Sequence, residues 1–178
     1  MSSFKLRRPI RASLLLLVVL ALSACGFHLR QNADLPQSMQ RIHLAVSGSN
    51  SFQRELARAL ASAGVTVEDN AGPGIAELKV PTAAFSTETL TSGGYARISE
   101  YAIHYTVRFG VTDAGGQALV PLQNINMSRE YSYDASNTVG NASQVAQIEK
   151  SLDNDMVQAI MFRLQAAGRH PAPAASTH

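Results

Sequence analysis

The chain has 178 residues with a single cysteine, and it carries 15 Lys and Arg against 13 Asp and Glu. This length suits one domain with its own hydrophobic core, and a lone cysteine excludes an internal disulfide. The basic residues are scattered singly, which argues against the clustered basic surface of a nucleic-acid binder. Four of them precede Cys25 and no acidic residue does, so the chain from Cys25 onward has 11 basic and 13 acidic residues and a net charge of −2.

The N-terminal segment has the pattern of a secretory signal. An apolar run of 11 residues from Ala12 to Leu22 follows four positive residues, Lys5, Arg7, Arg8 and Arg11. A membrane-spanning helix needs about 20 apolar residues, so this run predicts a signal peptide over residues 1–24. The sequence "LSAC" at its end has the form of a bacterial lipobox, which implies cleavage before Cys25 and acylation of Cys25. The alternatives are an ordinary secretory signal with an incidental cysteine and a weak N-terminal helix.

A strand and a helix are predicted next. "MQRIHLAVSG" alternates, with Ile42, Leu44 and Val46 on one face. "NSFQRELARALASAG" has the apolar spacing of an amphipathic helix and ends at Gly64, a residue typical of the position after a helix. The Gly- and Pro-rich residues 70–74 then predict a turn.

Three hairpin-linked strands are predicted after this turn. The first is "AELKVPTAAFSTETL", in which Pro81 indicates a sheet edge or a bulge. The second, "EYAIHYTVRFGV", alternates so clearly that one buried face is expected. The third lies within "QALVPLQNINMSREYSYD". The sequences "SGGYAR" at 92–97 and "DAGG" at 113–116 predict the two connecting turns.

The last predicted element is a helix that Asn141 or Ser143 caps. Its apolar stripe consists of Val145, Ile148, Leu152, Met156, Ile160 and Leu164. Residues 167–178 are rich in Pro and Ala and predict a disordered tail, which leaves a single domain over residues 25–166. The expected fold class is α+β, a two-layer sandwich of two helices packed on a four-stranded mixed β-sheet.

No catalytic or metal-binding pattern is present, so the sequence predicts a protein that is not an enzyme and holds no cofactor. Glu100 and His104 fall on the same face of a strand, where such a pair is more typical of solvated charge than of catalysis. The hairpin tip holds Tyr95 and Arg97, and is either a flexible turn or a contact loop.

The cysteine is followed at once by "GFHLR", then by "LPQSM" and a strand, and "SEYAIHYTV" opens a later strand. These features resemble the LPS-assembly lipoprotein family, LptE. The resemblance implies two helices on a four-stranded sheet and a position as a plug inside the outer-membrane β-barrel LptD. It also implies a role in the last step of lipopolysaccharide transport, with LptD and lipopolysaccharide as partners and with acylated Cys25 in the outer-membrane lipid.

Two further expectations concern location and contacts. Gly26 rather than Asp follows the cysteine, which by a common sorting rule indicates the outer membrane, with the domain on its periplasmic side and in the barrel lumen. The family's lipopolysaccharide contacts are attributed to basic side chains near strand ends, and this makes Arg97 a candidate contact here. Tyr95, in the same predicted hairpin tip, is a candidate contact with lipopolysaccharide or with the partner. No Lys or Arg occurs in "NTVGNASQ", where a second basic contact is expected. The alternative function is a stand-alone periplasmic lipoprotein that binds a lipid or glycan.

Overall fold

The structure is a computed structural model and describes residues 35–91 and 98–169. The described residues form one five-stranded sheet in the order β2-β1-β3-β4-β5, with two helices that contribute to one core with it. A short 3-10 turn, Gln37–Met39, precedes the first strand. The elements that follow are β1 (Arg41–Val46), α1 (Asn50–Ser62), β2 (Thr66–Glu68), β3 (Ala76–Thr91), β4 (Ile98–Thr112), β5 (Ala118–Asp134) and α2 (Thr138–Arg169).

The expected class of two helices on a mixed sheet is confirmed, but the expectation of four strands is wrong. The additional strand is β2, which pairs in parallel with β1 from Thr66 opposite Arg41 to Glu68 opposite His43. Three residues are too few to produce a recognisable alternation, since strand patterns need about four to eight residues. On its other side β1 is parallel to β3, while β3, β4 and β5 are antiparallel.

Helix α1 forms as the sequence predicts. Ser49 is its N-cap, because its hydroxyl accepts a hydrogen bond from the Phe52 backbone N–H at 3.3 Å. After the helix, Gly64 has a φ of +84°, a conformation that other residues rarely adopt. Phe52, Leu56 and Leu60 are fully buried, and burying each such side chain contributes roughly 1.5–3 kcal/mol. This stripe holds α1 against the sheet.

The pairing of β3 with its neighbours changes around Pro81. Pairing with β1 ends at Val46 opposite Val80, and the register against β4 shifts between Lys79 and Thr82. The prediction of an edge or bulge at Pro81 is therefore confirmed, because a proline has no N–H to give to a ladder. From Thr82 onward β3 pairs only with β4, so β3, β4 and β5 continue as a three-stranded antiparallel ribbon beyond β1.

Strand β4 supplies the centre of the core. Its alternate residues, which the sequence assigned to one face, are at most 1% exposed from Ile103 to Val111. The ring of Tyr105 stacks on Phe85 of β3, with centroids 3.9 Å apart, and meets the edge of Phe52 of α1 at 6.0 Å. These ring contacts join both strands and α1 in one packed unit.

Helix α2 begins differently from the prediction. Neither Asn141 nor Ser143 caps it; Asn137 does, accepting a hydrogen bond from the Gly140 N–H at 3.1 Å. Asn141 lies in the first turn, 6% exposed, and its side chain bonds the backbone N–H and C=O of Asp134 at 3.2 and 2.7 Å. The amide of Asn141 thus fastens the start of α2 to the end of β5 instead of capping the helix.

The apolar stripe of α2 is confirmed at Leu152, Met156, Ile160 and Leu164, which are at most 1% exposed. The helix continues to Arg169, three residues past the predicted end of the domain at 166. None of the described helices is both long and apolar enough to cross a membrane. The predicted signal peptide and most of the predicted tail, residues 170–178, lie outside the described residues.

Candidate functional site

The candidate site is the end of the sheet where β3 ends at Thr91 and β4 begins at Ile98. Ile98 of β4 lies opposite Asp134 of β5 in the register, so the turn from β5 into α2 lies at this same end. Cys25, Tyr95 and Arg97 all lie outside the described residues.

Three tyrosines meet at this end, on the helix side of the sheet. Tyr101 of β4 stacks on Tyr131 of β5 at a centroid distance of 5.6 Å, and it meets the edge of Tyr133 at 5.8 Å. All three are half-buried. Burial raises the pKa of Tyr131, and the neighbouring Tyr101 and Tyr133 raise it further. The cluster therefore offers neutral aromatic surface with phenol groups at its edge, which suits contact with an amphipathic partner.

Basic charge is scarce here. Arg129 is the only Lys or Arg among the described residues from 82 to 106 and from 126 to 149. It pairs with Asp155 of α2 at 2.7 Å. The one Lys or Arg in these described ranges is therefore already paired with a carboxylate.

The turn after β5 is fixed by local hydrogen bonds. The hydroxyl and the backbone N–H of Ser136 donate to Asp134 Oδ1 at 2.6 and 2.8 Å, and they hold the pKa of Asp134 below its usual value. Asp134 therefore stays ionised at neutral pH, and this end of the described sheet carries an exposed negative charge.

His104 contacts a carboxylate on the neighbouring strand. Its Nε2 lies 3.0 Å from Glu88 Oε2 on β3. The side chains of His104 and Glu88 are 40% and 66% exposed, and such surface pairs contribute only about 0–1 kcal/mol. The interpretation of His104 as solvated surface is consistent with this exposure.

The core holds one polar pair that the sequence did not reveal. Tyr105 Oη and Asp153 Oδ1 are buried without a partner at hydrogen-bonding geometry. Burial raises the pKa of Asp153, the Tyr105 hydroxyl partly offsets this, and the charge of Glu55 raises it further. Burial likewise raises the pKa of the Tyr105 phenol far above its usual range. The two groups thus influence one another's titration.

The described residues also line open grooves. One of about 320 Å³ lies between α1 and α2 and is lined by side chains that include Glu55, Arg58, Asn154 and Gln158. Two others, of about 520 and 630 Å³, lie beside β1 and α1 and beside the turn between β4 and β5. In the parts of the chain that the structure describes, no three His, Cys, Asp or Glu side chains cluster as a metal site requires.

Comparisons with solved structures give the fold independently. The chain is 22% identical to an uncharacterized lipoprotein B from Nitrosomonas europaea, with a TM-score of 0.67 over 83% of this chain and 99% of that one. It is 18% identical to a minor lipoprotein from Acinetobacter baumannii, with a TM-score of 0.62 over 74% and 94%. For the rare lipoprotein B from Shewanella oneidensis the values are 20%, 0.58, 70% and 94%.

A search of curated proteins finds no match. The model of the LptE family, described as lipopolysaccharide-assembly, matches residues 39–164, which is more than two thirds of the chain and spans both helices and all five strands up to Leu164 of α2. The chain therefore belongs to the lipopolysaccharide-assembly family LptE.

Proposed function

We propose that this protein is an outer-membrane lipoprotein that plugs the LptD β-barrel, helps it to assemble, and takes part in inserting lipopolysaccharide at the cell surface. The observation that carries the proposal is the family match over residues 39–164. In this proposal Cys25 is the acylated residue that anchors the chain. The solved structures similar in fold are themselves described as lipoproteins, which supports this anchoring.

The polar surface of the described domain supports a position inside a barrel lumen. The inner wall of an outer-membrane barrel is polar, so a plug needs a compact domain with polar faces. Large exposed apolar side chains are few among the described residues: Leu90, Leu122, Val139 and Phe162. A domain of this kind can fill an aqueous lumen without the broad apolar patch of an obligate dimer.

The lipopolysaccharide contact is proposed at the hairpin end of the sheet. Arg97 would pair with a phosphate of the glycolipid, since a guanidinium forms two parallel hydrogen bonds to phosphate. Tyr95 is the second candidate contact in this proposal. The net charge of −2 from Cys25 onward makes such a local cation necessary, because overall attraction cannot draw in a polyanion.

The proposal is tested by copurification. The full-length protein with a C-terminal tag is extracted from outer membranes in mild detergent, and its partners are identified by mass spectrometry. LptD in stoichiometric amount is the expected result. Recovery of the protein with bound lipid or glycan but no barrel would instead favour a stand-alone periplasmic lipoprotein.

A further inference from the structure

Helix α2 has two parts that differ in burial: residues 138–151 form the first part and residues 152–169 the second. The buried apolar side chains of the second part are at most 6% exposed: Leu152, Met156, Val157, Ile160, Met161 and Leu164. In the described residues 138–151 only Asn141 is buried, while Val145 and Ile148 are partly buried. Burial of apolar side chains therefore holds the second part of α2 much more firmly than the first.

The groove between the two helices is formed by the second part of α2. Helix α1 has 13 residues and α2 has 32, so at a rise of 1.5 Å per residue they are about 20 and 48 Å long. On the α2 side the groove is lined by Asn154, Val157 and Gln158, which all belong to the second part. The first part of α2 lies beyond this groove, where the sheet is the surface against which it packs.

The first part of α2 lies along the end of β5 that carries the tyrosines. Three side-chain contacts fix the direction of α2 along β5: Asn141 with Asp134, Asp155 with Arg129, and Arg163 with Gln123. Residue numbers rise along the helix while they fall along the strand, so residues 141–155 run beside residues 129–134. Tyr131 and Tyr133 belong to this stretch of β5, and Tyr101 stacks on Tyr131. The first part of α2 therefore lies over the tyrosine cluster.

The first part of α2 has little to stabilise it apart from one side chain. Isolated helices shorter than about 12–15 residues are marginal in water, and residues 138–151 fall in this range. They include Gly140, and glycine is among the weakest helix formers. The amide of Asn141 ties them to the sheet, because it accepts from the Asp134 N–H and donates to the Asp134 C=O. Segments with few buried apolar contacts open locally, at a lower free energy than global unfolding.

We propose that residues 138–151 are a lid that opens from the sheet while the second part of α2 stays packed, and that the Asn141 side chain is its latch to β5. In the closed state the lid covers the helix side of the tyrosine cluster. In the open state a larger part of Tyr131 and Tyr133 becomes accessible, so the lid controls access to this aromatic surface. The lid belongs to this chain alone and does not depend on the barrel partner proposed above.

The first test is hydrogen exchange of the full-length protein in mild detergent, followed by mass spectrometry. Amides 138–141 are left out, because the first four N–H groups of a helix have no helical acceptor. Amides 142–151 should be protected at least about tenfold less than amides 156–164, to a similar degree throughout, with a step near Leu152. Equal protection in both parts would overturn the lid. A gradual rise from residue 142 to residue 164 would show ordinary fraying of a helix end and would also overturn it.

The second test removes the latch. Asn141→Ala should lower the protection of amides 142–151 about fivefold or more, because two hydrogen bonds are lost, and should leave amides 156–164 unchanged. Alanine is a stronger helix former than asparagine, so helix propensity cannot cause this loss. Asn154→Ala is the matched control, since Asn154 is an exposed residue of the second part, and it should change neither region. Equal losses in both parts of α2, or none in the first, would overturn the proposal.

The third test asks whether the lid covers the tyrosine cluster. Tyrosine nitration by tetranitromethane, located by mass spectrometry, is compared between the wild type and Asn141→Ala. Nitration of Tyr131 should become several-fold faster in the variant, while Tyr105, which is fully buried in the core, should stay unreactive in both. An unchanged rate at Tyr131 would show that residues 138–151 do not cover the cluster. Faster nitration of Tyr105 as well would show global unfolding and would overturn the separate opening of the lid.

Discussion

The phenol of Tyr105 on β4 and the carboxyl of Asp153 on α2 interact inside the core, yet Tyr105 Oη and Asp153 Oδ1 both lack a hydrogen-bond partner in the described chain. Burial raises the pKa of Asp153 above its unfolded value of about 3.9, and the charge of Glu55 adds to this. The native fold therefore prefers the neutral acid. Its contribution to stability is fully present below the unfolded pKa and is lost as pH rises through the folded pKa.

Asp153→Asn should remove the loss of stability at high pH, because the amide is neutral at every pH. We expect the variant to be more stable than the wild type at pH 8, by on the order of 1 kcal/mol, with the advantage shrinking toward pH 4. Urea denaturation at several pH values measures it. The control is Asp155→Asn, which breaks only the exposed pair with Arg129. An advantage for Asp153→Asn that did not vary with pH would contradict the assignment.

Two substitutions of Tyr105 measure separately how its ring and its hydroxyl affect stability. Tyr105→Phe keeps the stacking on Phe85 and removes a buried oxygen without a hydrogen bond, so stability should stay within about 1 kcal/mol of the wild type. Tyr105→Ala removes the ring and should cost about 3–5 kcal/mol. Thermal and urea unfolding compare them. A large loss in Tyr105→Phe would mean that the hydroxyl stabilises the core.

The first turn of α2 depends on two asparagines in different ways. Asn141→Ala removes both side-chain bonds to the Asp134 backbone in a buried position, which should cost about 1–3 kcal/mol. Asn137→Ala removes only the cap and should cost about 1 kcal/mol. Urea denaturation of both variants checks the order. A larger effect at Asn137 would show that the cap, and not the link to β5, holds this junction.

Anchoring is expected to depend on Cys25. Cys25→Ala should abolish acylation and leave a precursor that is not processed at this site. Mass spectrometry of the wild-type protein purified from membranes should show acyl chains on an N-terminal Cys25. An unmodified thiol at that position would refute the lipoprotein assignment.

Lipopolysaccharide binding is expected to depend on Arg97. Arg97→Glu should weaken binding several-fold or more, because a hydrogen bond to a charged group is worth about 1.5–3 kcal/mol, and added salt should have a similar effect. Arg58→Glu is the control, since Arg58 is an exposed residue of α1 that pairs with Glu55. Binding of purified lipopolysaccharide is measured at low and moderate salt. Equal losses in both variants would place the basic contact elsewhere.

Long, regular patterns made most of the fold predictable. The alternation from Ile103 to Val111 and the stripe from Leu152 to Leu164 are repeated often enough to identify a buried face of a strand and of a helix. Strand β2 has only three residues, so its place beside β1 follows from tertiary pairing rather than from its own sequence. The polar pair of Asp153 and Tyr105 was also unpredictable, because no spacing links a strand residue to a helix residue.

The tyrosine cluster could not be predicted, because the register between β4 and β5 cannot be counted from the turn alone. Counting outward from the pair Thr112 and Ala118 would place Tyr101 opposite Arg129. Irregularities between Phe109 and Thr112 shift the pairing, and Tyr131 lies opposite Tyr101 instead. Local signals place a strand and its turn, but a bulge moves every partner beyond it.

The same shift limits which changes in length this hairpin can accept. Relative to a count from the turn, the pairing of β4 with β5 at Tyr101 is displaced by two residues. Because side chains alternate with a period of two, a displacement of two leaves each side chain on the face that simple alternation assigns to it. Inserting or deleting one residue in β5 beyond the shift would exchange the two sides, and Glu130 would enter the aromatic cluster while Tyr131 turned to solvent. A change of two residues would preserve both sides. Natural variation in the length of this hairpin is therefore expected to occur in even steps.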